Sequence, residues 1–171
     1  LMSLKSNSLI KLLCEFLVNR WLRDQLGLSF VKSAATGGAA LGPDTFKFFV
    51  NIGIPLRQLY GQTEQIGAYT IHREGDIDFD SVGFPFDTVK VEIDKPDKEG
   101  IGEIKVNNKN CMQGYLNVKE NFLANGWFFT GDAGYINKKG HLVVIDRMCD
   151  LSYTANNLRY SPQYILSLIH I

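Results

Sequence analysis

Near residue 75 the hydrophobic period of this 171-residue chain switches, and the switch limits the folds open to it. Before it, apolar residues recur at helical spacing between short apolar runs. After it, they alternate with polar ones between turns. Residues 7–26, NSLIKLLCEFLVNRWLRDQL, place Leu9, Leu12, Leu13, Phe16, Leu17 and Trp21 on one helical face. Asn7 or Ser8 can cap that helix and Gly27 can end it. SFVKSAATGGAALGPD then reads as a short strand entering a glycine-rich turn. Pro43 suits a first helical position, so 43–52 is a second helix, and PLRQLYG is a second strand. Helix–strand–helix–strand order implies a parallel sheet with helices on its face, an α/β unit.

The second half reads differently. TVKVEID (88–94) and IGEIKVNN (101–108) alternate at period two around the polar turn KPDKEG. NVKENFLANG suggests a short helix. WFFTGDAGYI and LVVIDR, joined by NKKGH, suggest a strand pair. The expected fold class is therefore α/β: a parallel sheet with helices, followed by a small antiparallel β subdomain.

Lysine plus arginine and aspartate plus glutamate number 18 each, which gives no electrostatic reason to expect a nucleic acid as partner. Cys14, Cys111 and Cys149 share no metal-binding spacing, and neither do His72, His141 and His170. Scattered cysteines fit reduced thiols and a cytoplasmic location. The apolar runs are far shorter than a membrane span, which leaves peripheral attachment to a membrane open. Composition does not address oligomeric state.

Three separated segments carry chemistry: TGGAAL (36–41), YGQTE (60–64), and TGD (130–132) with Arg147 beyond it. Gly37-Gly38 allows close backbone approach to a planar ligand, or simply connects strand to helix. Tyr60 offers a face on which a base stacks, worth roughly 1–3 kcal/mol, or is a core tyrosine. Thr63 can donate to a phosphate oxygen. Glu64 is a hard oxygen ligand suited to Mg²⁺ beside phosphates, or an exposed strand-end carboxylate. Asp132 can accept from both ribose hydroxyls, or stabilise a turn. Arg147 can reach ribose or phosphate through its planar fork. Together these are the parts for holding ATP or AMP. The chain has no GxxxxGK[ST] phosphate loop and no GxGxxG after a strand.

The ordered set TGGAAL, LYGQTE, GEIKV, GYLN and WFFTGDAGYINKKGHLVVIDR resembles the AMP-forming adenylate superfamily of acyl-CoA synthetases, luciferases and adenylation domains. RDQLGLS and GGAALGPDTFKFF look most like long-chain fatty-acyl-CoA synthetases. The resemblance covers nearly all of residues 8–165. It implies an ATP/AMP site in which Gly38, Ala39 and Ala40 line the adenine and acyl pocket and Tyr60 stacks on adenine. Gly61 and Gln62 belong to the same motif. Thr63 would hold the α-phosphate, Glu64 would bind Mg²⁺, Asp132 the ribose, and Arg147 the ribose and phosphate side. Val144 would pack on the nucleotide.

The resemblance also implies a division into parts. Residues 1–75 and 76–148 would be the α/β and β-rich parts of the AMP-binding domain. Residues 149–165, with a hinge at Cys149–Asp150, would begin a C-terminal domain. Residues 166–171, LSLIHI, match the translation of a common sequencing adapter and are set aside as a scar.

The implied reaction activates a fatty acid with ATP, releases pyrophosphate, and passes the acyl group to CoA with release of AMP. Two alternatives stand beside it: a ligase that loads a carrier protein, and an inactive nucleotide-binding homologue. The family's phosphate loop and C-terminal lysine are not in these residues, so the 171-residue chain alone is expected to be inactive. Ala40 replaces a common proline, Asp146 the usual glycine before the arginine, and TANNLRYSP (154–162) a glycine-glycine loop.

Overall fold

The computed structural model describes residues 13–39, 41–118, 123–154, 159–162 and 165. A helical stretch opens it, wound as a π-helix over Glu15–Asn19 and continuing as α1 (Arg20–Gln25). The starting residues 7–12 of the expected helix lie outside the described residues. Polar bonds tie this stretch down: Arg23 Nη1 donates to Ile52 O at 2.6 Å and pairs with Glu15 Oε1 at 2.7 Å. Its side chains Leu13, Phe16, Leu17 and Trp21 are exposed.

β1 (Ala34–Thr36) runs parallel to β2 (Leu56–Gln62), and α2 (Pro43–Asn51) forms the crossover between them. Pro43 opens α2 as the sequence suggests. Phe46 is fully buried, packed edge-on to Phe79 with ring centroids 5.2 Å apart, and joins Ile52, Ile54 and Leu56 in one core cluster. Burying a side chain of that size contributes about 1.5–3 kcal/mol. β3 (Gly67–Ile71) and β4 (Phe84–Pro85) extend the sheet antiparallel, so it is mixed, with order β1-β2-β3-β4. Among the described residues, parallel pairing is confined to β1 and β2.

The second sheet is antiparallel throughout. β5 (Val89–Asp94), β6 (Gly102–Asn108), β7 (Leu123–Ala124), β8 (Trp127–Ile136) and β9 (Leu142–Arg147) build it, with β8 paired to β6, β7 and β9. Here one expectation is corrected. Leu123–Ala124, assigned from sequence to a helix spanning NVKENFLANG, is the strand β7, and residues 119–122 lie outside the described residues. Asn125 and Gly126 take φ of 52° and 81°, the left-handed pair of a two-residue hairpin. That turn pairs Ala124 with Trp127 and outweighs the helical spacing before it. Beyond β9, β10 (Ser152–Tyr153) pairs with β11 (Arg159–Tyr160). The adapter-like residues 166–171 lie outside the described residues.

A second core cluster bridges the two sheets: Tyr69 and Val82 pack with Val89, Ile104, Val106 and Leu142. Leu142 also bonds across the seam, donating to Gly83 O at 2.8 Å and accepting from Val82 N at 2.9 Å. Beside it lies a fully buried histidine pair. His72 Nδ1 accepts from the Gln58 amide at 3.1 Å, which requires that nitrogen to be unprotonated. Its Nε2 lies 2.9 Å from Asp78 O and 3.0 Å from Ser81 Oγ, and Ser81 Oγ lies 2.9 Å from His141 Nδ1.

Burial holds the His72 pKa below the ordinary histidine value, against the opposing pull of the Asp78 carbonyl. Unfolded, the residue titrates at about pH 6.5. The stability it contributes is therefore complete above that pH and is lost as pH falls from there towards the lower folded value. Thermal unfolding followed between pH 7 and 5 should show a falling midpoint, with the His72 imidazole staying neutral by NMR below pH 6.5. Uptake of its proton at or above pH 6.5 in the folded chain would contradict the assignment.

Candidate functional site

β2 brings its motif to the seam between the sheets. Tyr60 and Gln62 are two residues apart and share one face of the strand. Gly61 between them faces the backbone of β3. A Cβ at Gly61 would sit 2.1 Å from Gly67 O and 2.4 Å from Ala68 Cα, at the point where the β2–β3 register shifts. Only glycine fits this approach. Beyond Gln62 the chain makes one 3₁₀ turn, Thr63–Gln65, closed by Ile66 N donating to Thr63 O at 3.0 Å. That turn presents Thr63 and Glu64.

Asp132 lies in the middle of β8 and is only 6% exposed. Tyr60 OH donates to its Oδ2 in a short hydrogen bond, and Gln62 Nε2 donates to the same oxygen at 2.9 Å. Arg147, directly opposite in the β8–β9 pairing, places Nη1 3.0 Å from Oδ1. Thr130 braces the strand, donating to Ile104 O at 2.8 Å and accepting from Asp132 N at 3.1 Å. Burial first, then Tyr69 and Asp132, push the Tyr60 phenol far above its ordinary pKa, so it stays a donor. Its ring meets Tyr69 edge-on at 4.9 Å.

A cleft of about 560 Å³ opens in front of this network, lined among others by Gln62, Thr63, Glu64, Glu103, Thr130 and Arg147. Glu103 Oε1 accepts from Gly131 N at 3.1 Å. Glu64 is gripped from the segment after β6: Met112 N donates to its carbonyl at 2.9 Å, and Tyr115 OH to Oε1 at 2.9 Å. The Glu64 carboxylate raises the Tyr115 pKa by accepting that bond. No group of three or more His, Cys, Asp or Glu suited to a metal occurs among the described residues. A single carboxylate nonetheless fits Mg²⁺, which is held through one or two carboxylates plus substrate phosphates.

The structure thus gathers Gln62, Thr63, Glu64 and Arg147 around the cleft, with Tyr60, Gly61 and Asp132 behind it. Gly38 and Ala39 lie in the exposed turn after β1 and are not among the cleft's lining residues; Ala40 is outside the described residues. Val144 pairs with Gly134 and packs on the second core cluster. Cys149 and Asp150 are exposed in the turn after β9, where Asp150 N donates to Arg147 O at 3.1 Å. Asp146 is buried. It accepts a short bond from Ser161 OH and a 2.8 Å bond from Arg147 N. Sequence reasoning gave no role to Glu103, Tyr115 or Thr130. The strings GEIKV, GYLN and TGD contained them, but nothing local says that they meet.

The family model described as AMP-binding enzyme matches residues 8–116. The long-chain-fatty-acid–CoA ligase ACSBG2 of Xenopus laevis is 33% identical over 150 residues, covering 85% of this chain and 20% of the relative. A 2-succinylbenzoate–CoA ligase of Staphylococcus epidermidis is 31% identical, covering 84% and 32%. Among solved structures, O-succinylbenzoate coenzyme A synthetase of Bacillus subtilis in complex with AMP superposes with a TM-score of 0.68 at 27% identity. That match covers 78% of this chain and 29% of the other. The same enzyme with ATP and magnesium ion gives 0.71 at 24% identity, covering 95% and 34%. The chain therefore spans a fifth to a third of the length of these relatives.

Replacing Thr130 by valine removes both bonds that brace the Asp132 strand while keeping shape. Denaturant unfolding should show a loss of about 1–3 kcal/mol with an unchanged slope. A stability equal to that of the parent chain would show that Thr130 does not brace the site.

Proposed function

The chain belongs to the AMP-binding enzyme family, and on that premise we propose that it forms one wall of the nucleotide site of an acyl-activating ligase. The observation that carries this reading is convergence: Gln62, Thr63 and Glu64 at the end of β2 and Arg147 at the end of β9, far apart in sequence, line one cleft backed by Asp132.

In this reading the substrates are a fatty acid, ATP and CoA. Relatives named long-chain-fatty-acid–CoA ligase, from Xenopus laevis, Gallus gallus and Drosophila melanogaster at 32–33% identity, support a long acyl chain. The acid's carboxylate attacks the α-phosphorus of ATP and pyrophosphate leaves. The CoA thiol then attacks the acyl-adenylate and AMP leaves. No side-chain nucleophile is required. The chain's task is to position reactants and to match developing charge.

Asp132 would take the ribose hydroxyls. A carboxylate has about four acceptor sites, and three donors already meet this one. The Arg147 side chain is 53% exposed, so it can swing from Oδ1 towards phosphate and free a site for ribose. Tyr60 and Gln62 would keep Oδ2 in place meanwhile. Thr63 would donate to the α-phosphate. Glu64 would hold Mg²⁺, which when bound neutralises phosphate charge. The three free cysteines agree with a cytoplasmic setting. The 171-residue chain by itself would not turn over substrate.

Asp132→Ala in the full-length protein should weaken ATP binding about 10- to 100-fold by calorimetry, as expected for charged hydrogen bonds. Unchanged affinity would remove Asp132 from the site. Turnover across acids from short to long chain, with 2-succinylbenzoate included, should peak at long chains. A peak at 2-succinylbenzoate would replace the fatty-acid assignment.

A further inference from the structure

We propose that Tyr115 is a positioning residue for Glu64: it holds one carboxylate oxygen so that the other is presented to the cleft as a cation ligand. This rests on the reading of the cleft as a magnesium–nucleotide site. Two bonds from one segment converge on residue 64. Met112 N fixes its backbone through the carbonyl, and Tyr115 OH fixes the far end of its side chain. The two donors are three residues apart and lie 48 and 51 positions beyond Glu64 (112 − 64 and 115 − 64), so the grip is tertiary.

The 3₁₀ turn that carries Glu64 is three residues long and makes no side-chain cap bond. A glutamate side chain left free there gives up rotamer freedom when it is fixed. Mg²⁺ tolerates little departure from octahedral geometry, so a carboxylate oriented beforehand binds it at less cost. The donor's chemistry matters too. A neutral phenol orders Glu64 and leaves its negative charge in place, whereas a lysine would cancel the charge that attracts the cation. Tyr115 is about half exposed and its bond to Glu64 lies at the surface, so water can reach the Glu64 oxygen once the hydroxyl is removed.

The test is Tyr115→Phe in the full-length protein, read by calorimetry with and without magnesium. The apparent Mg²⁺ dissociation constant at fixed ATP should rise about tenfold. ATP affinity in EDTA and the unfolding midpoint should stay as in the parent. In a Glu64→Gln background the same change should have no further effect. If the parent itself binds no ATP, the nucleotide-site reading falls; if it binds ATP without any magnesium dependence, Glu64 is not a cation ligand and the positioning role falls with it. If the parent shows that dependence and Tyr115→Phe matches it or binds Mg²⁺ more tightly, the positioning role falls alone. A lowered unfolding midpoint with unchanged Mg²⁺ affinity would make Tyr115 structural only.

Discussion

The Asp132 carboxylate joins the two sheets. It sits on β8 of the antiparallel sheet and receives Tyr60 and Gln62 from β2 of the mixed one, with Arg147 from the neighbouring β9. Removing a carboxylate from water costs several kcal/mol, and three donors, one of them cationic, offset that cost. The alternation of β2 puts residues 60 and 62 on the face turned to Asp132 and leaves residue 61 for the β3 backbone. The cleft owes its floor to this geometry, because Thr63 and Glu64 follow directly on the last anchored residue.

Much of this was legible because the relevant signals are local. The period switch near residue 75 separates helix-crossed strands from the antiparallel run, and Pro43 marks the start of α2. Residues 62–64 and Arg147 meet at one cleft backed by Asp132, while Gly38 and Ala39 of the first motif do not line it. Less legible was anything decided between strands far apart. Tyr60 reads as a stacking platform, yet its hydroxyl and ring are engaged by Asp132 and Tyr69, residues whose approach no spacing encodes. Gly61 reads as part of a ligand motif, while the structure gives it a packing reason. The β7 hairpin was missed although its Asn-Gly signal is plain, because helical spacing before the turn outweighed the turn chemistry. The histidine pair was invisible, since scattered histidines say nothing until the chain folds them together.

The electrostatics of the cleft bear on how the proposed site is completed. Among the described residues lining it, Arg147 is the sole cation, set against the carboxylates of Glu64 and Glu103. A triphosphate needs more positive charge than that to be held and polarised. In the proposed reading the balance comes from Mg²⁺ and from regions outside this sequence. The Asp146–Ser161 bond adds a second tie, fastening the segment beyond the Cys149–Asp150 turn back onto β9. Asp146, which departs from the family pattern in sequence, thereby gains a structural partner.

The tight approach at Gly61 also affects how the motif ages in evolution. Tyr60, Gly61 and Gln62 are retained by packing and by a buried carboxylate, so a descendant that had lost all use for nucleotide would still need them to fold. Thr63 and Glu64 stand on a three-residue turn at the edge of the cleft, and the bonds on Glu64 from Met112 and Tyr115 tie it to no buried carboxylate. Drift in a retired copy would therefore erase the last two letters of YGQTE before the first three. In the proposed reading, Glu64 beside an intact YGQ is then a better mark of nucleotide use than the glycine that makes the motif easy to find.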